Sequence, residues 1–335
     1  MVRGARPGAD YGPIQTVASI LSLAGTPSTF EPEFPFGEPA MKTRASRILA
    51  MFACFQLASA DAKAISTEQC TDHFNHLLEI DLTSATEVDR DALGDRLMAA
   101  QLAFQKGFDH ADDISTDCRV VQFRSLQMVN FYAQSEASLN MLRGALSDLE
   151  ALGVADEQHR AFFYQALVGQ RRFEEARAFK RQYPMPEVED IPDIAKVDFD
   201  HPVAYGIDES GSQLVPLSMD LSEIRLVAVV HPACAFSRRA MTAIASAQPE
   251  VAAGRAVYLM PVDHRLYLSE LTEWNTAHAS MQIVLANSRD DWPFIDRWGT
   301  PTFYVLKDGQ VQERLTGWPD DSQLDELVRL VERVD

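Results

Sequence analysis

Cysteine is scarce in this chain, with four in 335 residues. Cys54, Cys70, Cys118 and Cys234 stand far apart, so no cysteine pair has the close spacing of a structural zinc site. Basic residues are also in short supply. Thirty Lys and Arg face 49 Asp and Glu, a formal net charge of −19. A nucleic acid or an anionic membrane needs a basic face to bind, so neither is expected as a partner. No Gly-rich phosphate loop and no Gly-x-Ser-x-Gly elbow appears. The apolar run Ile48 to Leu57 is too short to cross a bilayer, and no integral membrane segment is expected in the mature chain. What is present is ordinary for a globular protein, 46% hydrophobic and 24% charged. The length admits two domains.

Residues 1–40 are rich in Pro and Gly, lack periodicity, and read as an unstructured extension. Met41 then opens a short basic region with Lys42, Arg44 and Arg47. The apolar run follows, and "ASA" at 58–60 has the small-x-small pattern of a cleavage site. A signal peptide over 41–60, cut after Ala60, is the expectation, and with it a periplasmic or secreted location. The alternatives are a buried core helix, or a lipobox at Cys54 that Met51-Phe52-Ala53 matches poorly. An exported chain meets an oxidising compartment, where cysteines normally pair. Cys70, Cys118 and Cys234 remain after cleavage, and an odd number leaves at least one thiol free or shared. Cys70 and Cys118 lie in the same helical stretch, so the expected bridge joins them and leaves Cys234 free.

Residues 61–183 read as a helical domain. "EVDRDALGDRLMAAQLAFQKGF" places Leu93, Leu97, Ala100 and Phe104 on one face, and Gly153 marks a helix end. "GQRRFEEARAFKRQYP" resembles the turn and second helix of a tetratricopeptide unit. A single legible unit cannot make an array, so a helical bundle is expected. Residues 184–202, rich in Pro and acid, read as a linker. From 203 to 335 the period changes. A hairpin around Ser210-Gly211 precedes the buried strand "RLVAVV", a helix from Phe236 to Ser246, the strand "RAVYLMPV" and the helix "LSELTEWNTAHA". A hairpin turned by Asp308-Gly309 and a closing amphipathic helix capped by Asp320 or Asp321 complete the order. The expected class is α+β overall, an N-terminal all-α domain followed by an α/β domain.

One junction carries chemistry. In "VAVVHPACAFSRRAMTAIAS" an apolar strand enters a Pro-containing turn, then Cys234, then a helix. A sulfur at a helix N-terminus sees unpaired amides and the positive end of the dipole, both of which favour the reactive thiolate. Ser237 lies within one turn and offers a hydroxyl. Arg238 lies at i+4 and adds positive charge, or else belongs to a solvated face with Arg239. His231 is a turn residue placed to modulate the thiol. His231, Cys234 and His264 are the residue types a copper or zinc site would use, but they are scattered over a turn and a loop, and no metal is expected. Trp292, Phe294, Trp298 and Trp318 flank a second landmark, Thr300-Pro301, and read as core or rim, with a client groove as the functional alternative.

The strand–Cys234–helix junction and the Thr300-Pro301 step together resemble the thioredoxin superfamily. "CAFS" is similar to the CGFS of monothiol glutaredoxins and to monothiol members of the protein disulfide isomerase family. "WGTPTFYVLKDGQVQERLTGWPDDSQL" looks like the matching part of periplasmic disulfide isomerases and their sulfenate-reducing relatives. The resemblance covers about residues 203–335. It implies a thioredoxin-like fold, a cis bond before Pro301 facing the cysteine, and thiol–disulfide exchange through Cys234. Ser237 and Pro301 would complete the catalytic site, and His231, Arg238 and Thr300 would stabilise the thiolate or line a client groove. The chain departs from the family where Ala233 replaces the usual Trp and Ser237 the second cysteine. Gly317-Trp318-Pro319 stands where glutaredoxins carry the Gly-Gly step that binds glutathione, so no cofactor is expected. The implied partners are protein clients with cysteines or disulfides, and a small thiol. The alternative is a non-catalytic binding module that uses the Pro301 groove and the helical domain.

Overall fold

The computed structural model describes residues 64–84, 90–111, 113–198, 201, 203–247 and 255–334. The expected signal segment 41–60 and the extension before it lie outside the described residues. Six helices come first: α1 (Thr67–Ser84), α2 (Arg90–Phe108), α3 (Thr116–Ala133), α4 (Glu136–Ala151), α5 (Glu157–Gly169) and α6 (Phe173–Gln182). Their ends are set by local chemistry. Ser115 accepts from the Cys118 amide to cap α3, and Ser135 and Asp156 form capping boxes for α4 and α5. Gly153, at φ 71°, ends α4 in the left-handed conformation that only glycine adopts without cost. Two short strands, β1 (Ala64–Ile65) and β2 (Asp113–Ile114), pair in parallel beside this bundle.

Helix α3 is the axis of the helical region because it is apolar on two faces. Phe123 and Leu126 join Leu139, Leu142, Leu146 and Leu149 of α4. Met128, Val129 and Tyr132 join Leu77, Leu93 and Leu97 from α1 and α2. Gly94 makes that crossing possible: a Cβ there would stand 2.9 Å from the Tyr132 carbonyl oxygen. A third cluster, Ile65, Cys70, Phe108 and Cys118, encloses a disulfide between Cys70 and Cys118, whose Cα atoms are 5.5 Å apart.

The remaining chain builds one mixed sheet. Its strands are β3 (Asp193–Ile194), β4 (Ala204–Ile207), β5 (Gln213–Leu217), β6 (Leu226–Val229), β7 (Ala256–Met260), β8 (Ile283–Ala286), β9 (Thr302–Lys307) and β10 (Gln310–Thr316), in spatial order β10-β9-β6-β7-β8-β4-β5-β3. β6, β7 and β8 run parallel, and β9 is antiparallel to β6. Helices α7 (Ala235–Ala247), α8 (Leu268–Ala277) and α9 (Ser322–Val334) connect or close it. The nine helices and mixed sheet of the described residues make the protein α+β. Side chains alternate across a strand, and β6 uses both faces. Leu226 and Ala228 join Val230 in one core, Val227 and Val229 the other. Each fully buried valine or leucine contributes about 1.5–3 kcal/mol. The first of these cores also holds the α4–α6 side chains, and Ala64–Asp335 forms one compact unit.

Two parts of the sheet differ from the sequence expectation. Strand β8 lies between α8 and the last hairpin, where no strand is expected. Segment 184–202 reads as a linker, but its described part 184–198 is tied down. Met185 and Ile191 are buried, and β3 pairs with β5 at the sheet edge. Tyr164 donates to the Glu189 carbonyl at 2.6 Å. The Glu189 carboxylate accepts the amides of Leu266, Tyr267 and Leu268, at 2.9, 3.2 and 2.7 Å. It therefore caps α8, whose own N-cap residue, Tyr267, supplies no capping side chain. Isolated apolar residues and one carboxylate do this, so no periodic signal accompanies it. No helix among the described residues is long and apolar enough to cross a membrane.

Candidate functional site

Strand β6 ends at Val229, and the chain turns through His231, Pro232 and Ala233 into α7. The Cys234 amide donates to the His231 carbonyl at 3.0 Å and closes the turn. The Arg238 amide donates to the Cys234 carbonyl at 3.0 Å, the first bond of the helix. Cys234 is thus the residue at the cap position, half-buried, and the one free cysteine of the described residues.

Opposite it runs the segment before β9. The Thr300–Pro301 bond is cis, and the Cys234 thiol donates to the Thr300 carbonyl across 3.6 Å. The Gly317 amide donates to the Pro301 carbonyl at 2.9 Å, and Thr302 Oγ1 to the Gly299 carbonyl at 2.6 Å. These bonds fix the proline segment against the sulfur.

Burial pushes the Cys234 thiol up, but the outcome is a pKa below the ordinary thiol value. The amide and hydroxyl of Ser237, the Thr300 hydroxyl and the Phe236 amide all favour the thiolate and outweigh burial. Ser237 is 0% exposed, and its oxygen accepts the His231 amide at 3.2 Å. That leaves the hydroxyl proton for the sulfur. Arg238 instead reaches the Pro232 carbonyl at 3.1 Å, so its guanidinium clamps the turn. Arg239 lies over the Phe236 ring and donates to the Pro319 carbonyl at 2.9 Å. Phe236, two residues after Cys234, is 49% exposed, with Ala233 and Ala235 also exposed. The stretch around the thiol thus exposes apolar side chains together with two guanidinium groups, Arg238 and Arg239.

The structure therefore brings Cys234, Ser237, His231, Thr300 and Pro301 together. It does not gather His264 with them. That ring stacks on Phe131 of α3, 4.9 Å between centroids, and the described residues hold no group of three or more His, Cys, Asp or Glu arranged to hold a metal ion. Trp292, Trp298 and Trp318 are buried in the core. Cys70 and Cys118 are 1% and 0% exposed and bonded to each other. A cleft of about 190 Å³, lined by Tyr164, Glu189, Asp190, His264 and Leu266 among others, does not include Cys234.

Sequence reasoning missed Asp263, which follows β7 and faces His231 Nε2 at 3.5 Å, and Tyr267, whose ring meets that imidazole edge-on at 4.5 Å. The signal was an acidic residue three positions after the buried end of β7, the strand that pairs with β6, which leads into the cysteine turn. Arg171 was missed too. Its Nε and Nη2 donate to the Ala286 carbonyl at 2.9 and 2.8 Å, and its Nη1 to that of Asp263 at 3.3 Å. Burial pushes this guanidinium down to about 10, still charged at neutral pH.

No family model, curated protein or solved structure matches the chain. The chemistry of the site must carry the functional reading.

Proposed function

We propose that this is an exported monothiol protein of the thioredoxin-like kind, acting in thiol–disulfide exchange through Cys234. The observation that carries the reading is a half-exposed thiol at a helix start, held below its ordinary pKa by the donors of Ser237 and Thr300. The Cys234 thiolate attacks one sulfur of a client disulfide. A Cys234–client disulfide forms, the client S–S bond breaks, and the second client sulfur leaves as thiolate. Ser237 holds an oxygen where a dithiol enzyme holds its resolving sulfur, so the site has no internal exit. Cys70 and Cys118 are buried and already paired, and do not supply one. Release then requires the client's own thiol, which makes the event an isomerisation, or an external small thiol. The exposed Phe236 ring, two residues after Cys234, suits a polypeptide client. The buried disulfide fits the oxidising compartment that an exported protein meets.

The test is a non-reducing gel of alkylated extracts from cells expressing the native protein, Cys234→Ser and Ser237→Cys. The native protein should accumulate mixed disulfides that reductant releases. Ser237→Cys should trap less and gain dithiol oxidoreductase activity. Equal adducts from the native protein and Cys234→Ser would move the non-catalytic binding module ahead.

A further inference from the structure

His231 uses every polar group it has. Its amide donates to Ser237 Oγ, its Nδ1 accepts the Ala233 amide at 3.1 Å, and its Nε2 faces Asp263 Oδ2 at 3.5 Å. A nitrogen that accepts is unprotonated, so the ring is the tautomer with its proton on Nε2, directed at the Asp263 carboxylate. Ala233 immediately precedes Cys234, so this imidazole braces the turn that presents the sulfur.

Asp263 is itself held from several sides. Its Oδ1 accepts the amides of His264 and Arg265, at 2.5 and 3.3 Å. Arg171 grips its carbonyl from the α5–α6 turn. The neighbouring His264 ring lies between Phe131 of α3 and Gly169 of α5, where a Cβ would come within 3.0 Å of it. The helical region thus fixes the loop that carries the carboxylate. Burial works against ionisation of Asp263, but its hydrogen bond to His231 and the two histidines beside it hold its pKa below the usual carboxylate range. The groups facing the imidazole are Asp263 and Tyr267 from the loop after β7, with Arg265 over the Tyr267 ring at 4.6 Å; Ser237 and Cys234, from the start of α7, bond the His231 backbone amide and carbonyl.

We infer that Asp263 is a positioning residue for the Cys234 site and acts through His231, its carboxylate selecting the imidazole tautomer that accepts the Ala233 amide and so aiming the sulfur. This rests on the reading of Cys234 as a nucleophile. Asp263→Asn keeps the acceptor for the His264 and Arg265 amides but turns an N–H toward Nε2. The ring must then place its proton on Nδ1, against the Ala233 N–H. His231→Asn offers a carbonyl oxygen near the Nδ1 position, which accepts from Ala233 without help from Asp263.

The experiment titrates thiolate absorbance and iodoacetamide alkylation of Cys234 in the native protein, Asp263→Asn, His231→Asn and the double variant. Asp263→Asn should raise the thiolate midpoint and slow alkylation at pH 6.5 by roughly tenfold, the size of coupling expected between groups in one network. In the His231→Asn background the same change should slow it less than twofold. A purely Coulombic role has the opposite sign, because removing a negative charge lowers the midpoint. A fall or no change in the midpoint, or equal slowing in both backgrounds, overturns the inference. Should Asp263→Asn not fold, His231→Ala against His231→Asn reads the same brace. The alanine variant should be slow and the asparagine variant near native, and equal rates overturn it. These readouts need no client. The inference is decided by differences between variants, whereas a native midpoint at the ordinary thiol value counts against the proposed function itself.

Discussion

All three described cysteines sit at the start of a helix, Cys70 in the first residues of α1, Cys118 in those of α3 and Cys234 at the cap of α7. The helix dipole treats them alike, yet their chemistry differs. Cys70 and Cys118 are enclosed with Ile65 and Phe108 and spend their reactivity on each other. Cys234 has no sulfur partner, stays half-exposed, and meets amides and hydroxyls. A helix start does not make a nucleophile. Exposure and hydrogen-bond donors set Cys234 apart, since it is half-exposed with a lowered pKa, whereas Cys70 and Cys118 are buried and bonded to each other.

The sharpest way to break this contrast is to exchange the sulfurs. Cys234→Ser should abolish alkylation and adduct formation while the fold survives, because the change is nearly isosteric; circular dichroism and mass mapping check both. Replacing Cys70 and Cys118 together by alanine should do the reverse. The bridge spans a separation of 48 residues, so its loss should cost about 4 kcal/mol by loop closure, while the Cys234 alkylation rate stays native. Denaturant titration and labelling kinetics on one sample separate the two effects. A large fall in Cys234 reactivity there would mean that the two regions are not chemically independent.

A subtler test removes one donor. Ser237→Ala takes away the hydroxyl that faces the sulfur, and a hydrogen bond to a charged group contributes about 1.5–3 kcal/mol. The thiolate midpoint should rise and alkylation at pH 6.5 should slow by roughly tenfold or more. The smallest expected effect is on stability against pH. The folded pKa of Cys234 is depressed, so ionisation favours the folded state. That contribution is present above the ordinary thiol pKa and fades as pH falls through the depressed folded value. Stability should therefore rise across that window in the native protein and rise less in Ser237→Ala. Thermal melts at several pH values measure the slope.

The parts legible in sequence are those whose cause is local. Strand β6, the turn and α7 follow from an apolar run, a proline and the residues after it. The last hairpin follows from Asp308-Gly309, both at positive φ, and Ser322 donates to Asp320 at the start of α9. The parts that were not legible depend on partners far along the chain. Glu189 caps a helix 79 residues away, and Arg171 reaches a carbonyl 115 residues on. No periodicity marks either residue, because each works as a single polar group placed by the whole fold. Asp263 belongs with them. Cys234 and Ser237 could be named from their spacing, but the histidine–carboxylate brace behind them appears only once β6 and β7 are neighbours.

The most direct measurement compares Cys234 with itself. Its alkylation rate at pH 6.0 is taken in the folded protein and again in denaturant, with the Cys70–Cys118 bridge intact in both. The dipole, the Ser237 donors and the Thr300 hydroxyl exist only in the folded state, so the folded protein should react faster even though its sulfur is half-buried. A folded rate equal to or below the unfolded rate would show that burial outweighs those donors, and Cys234 would then be a sheltered thiol rather than a nucleophile.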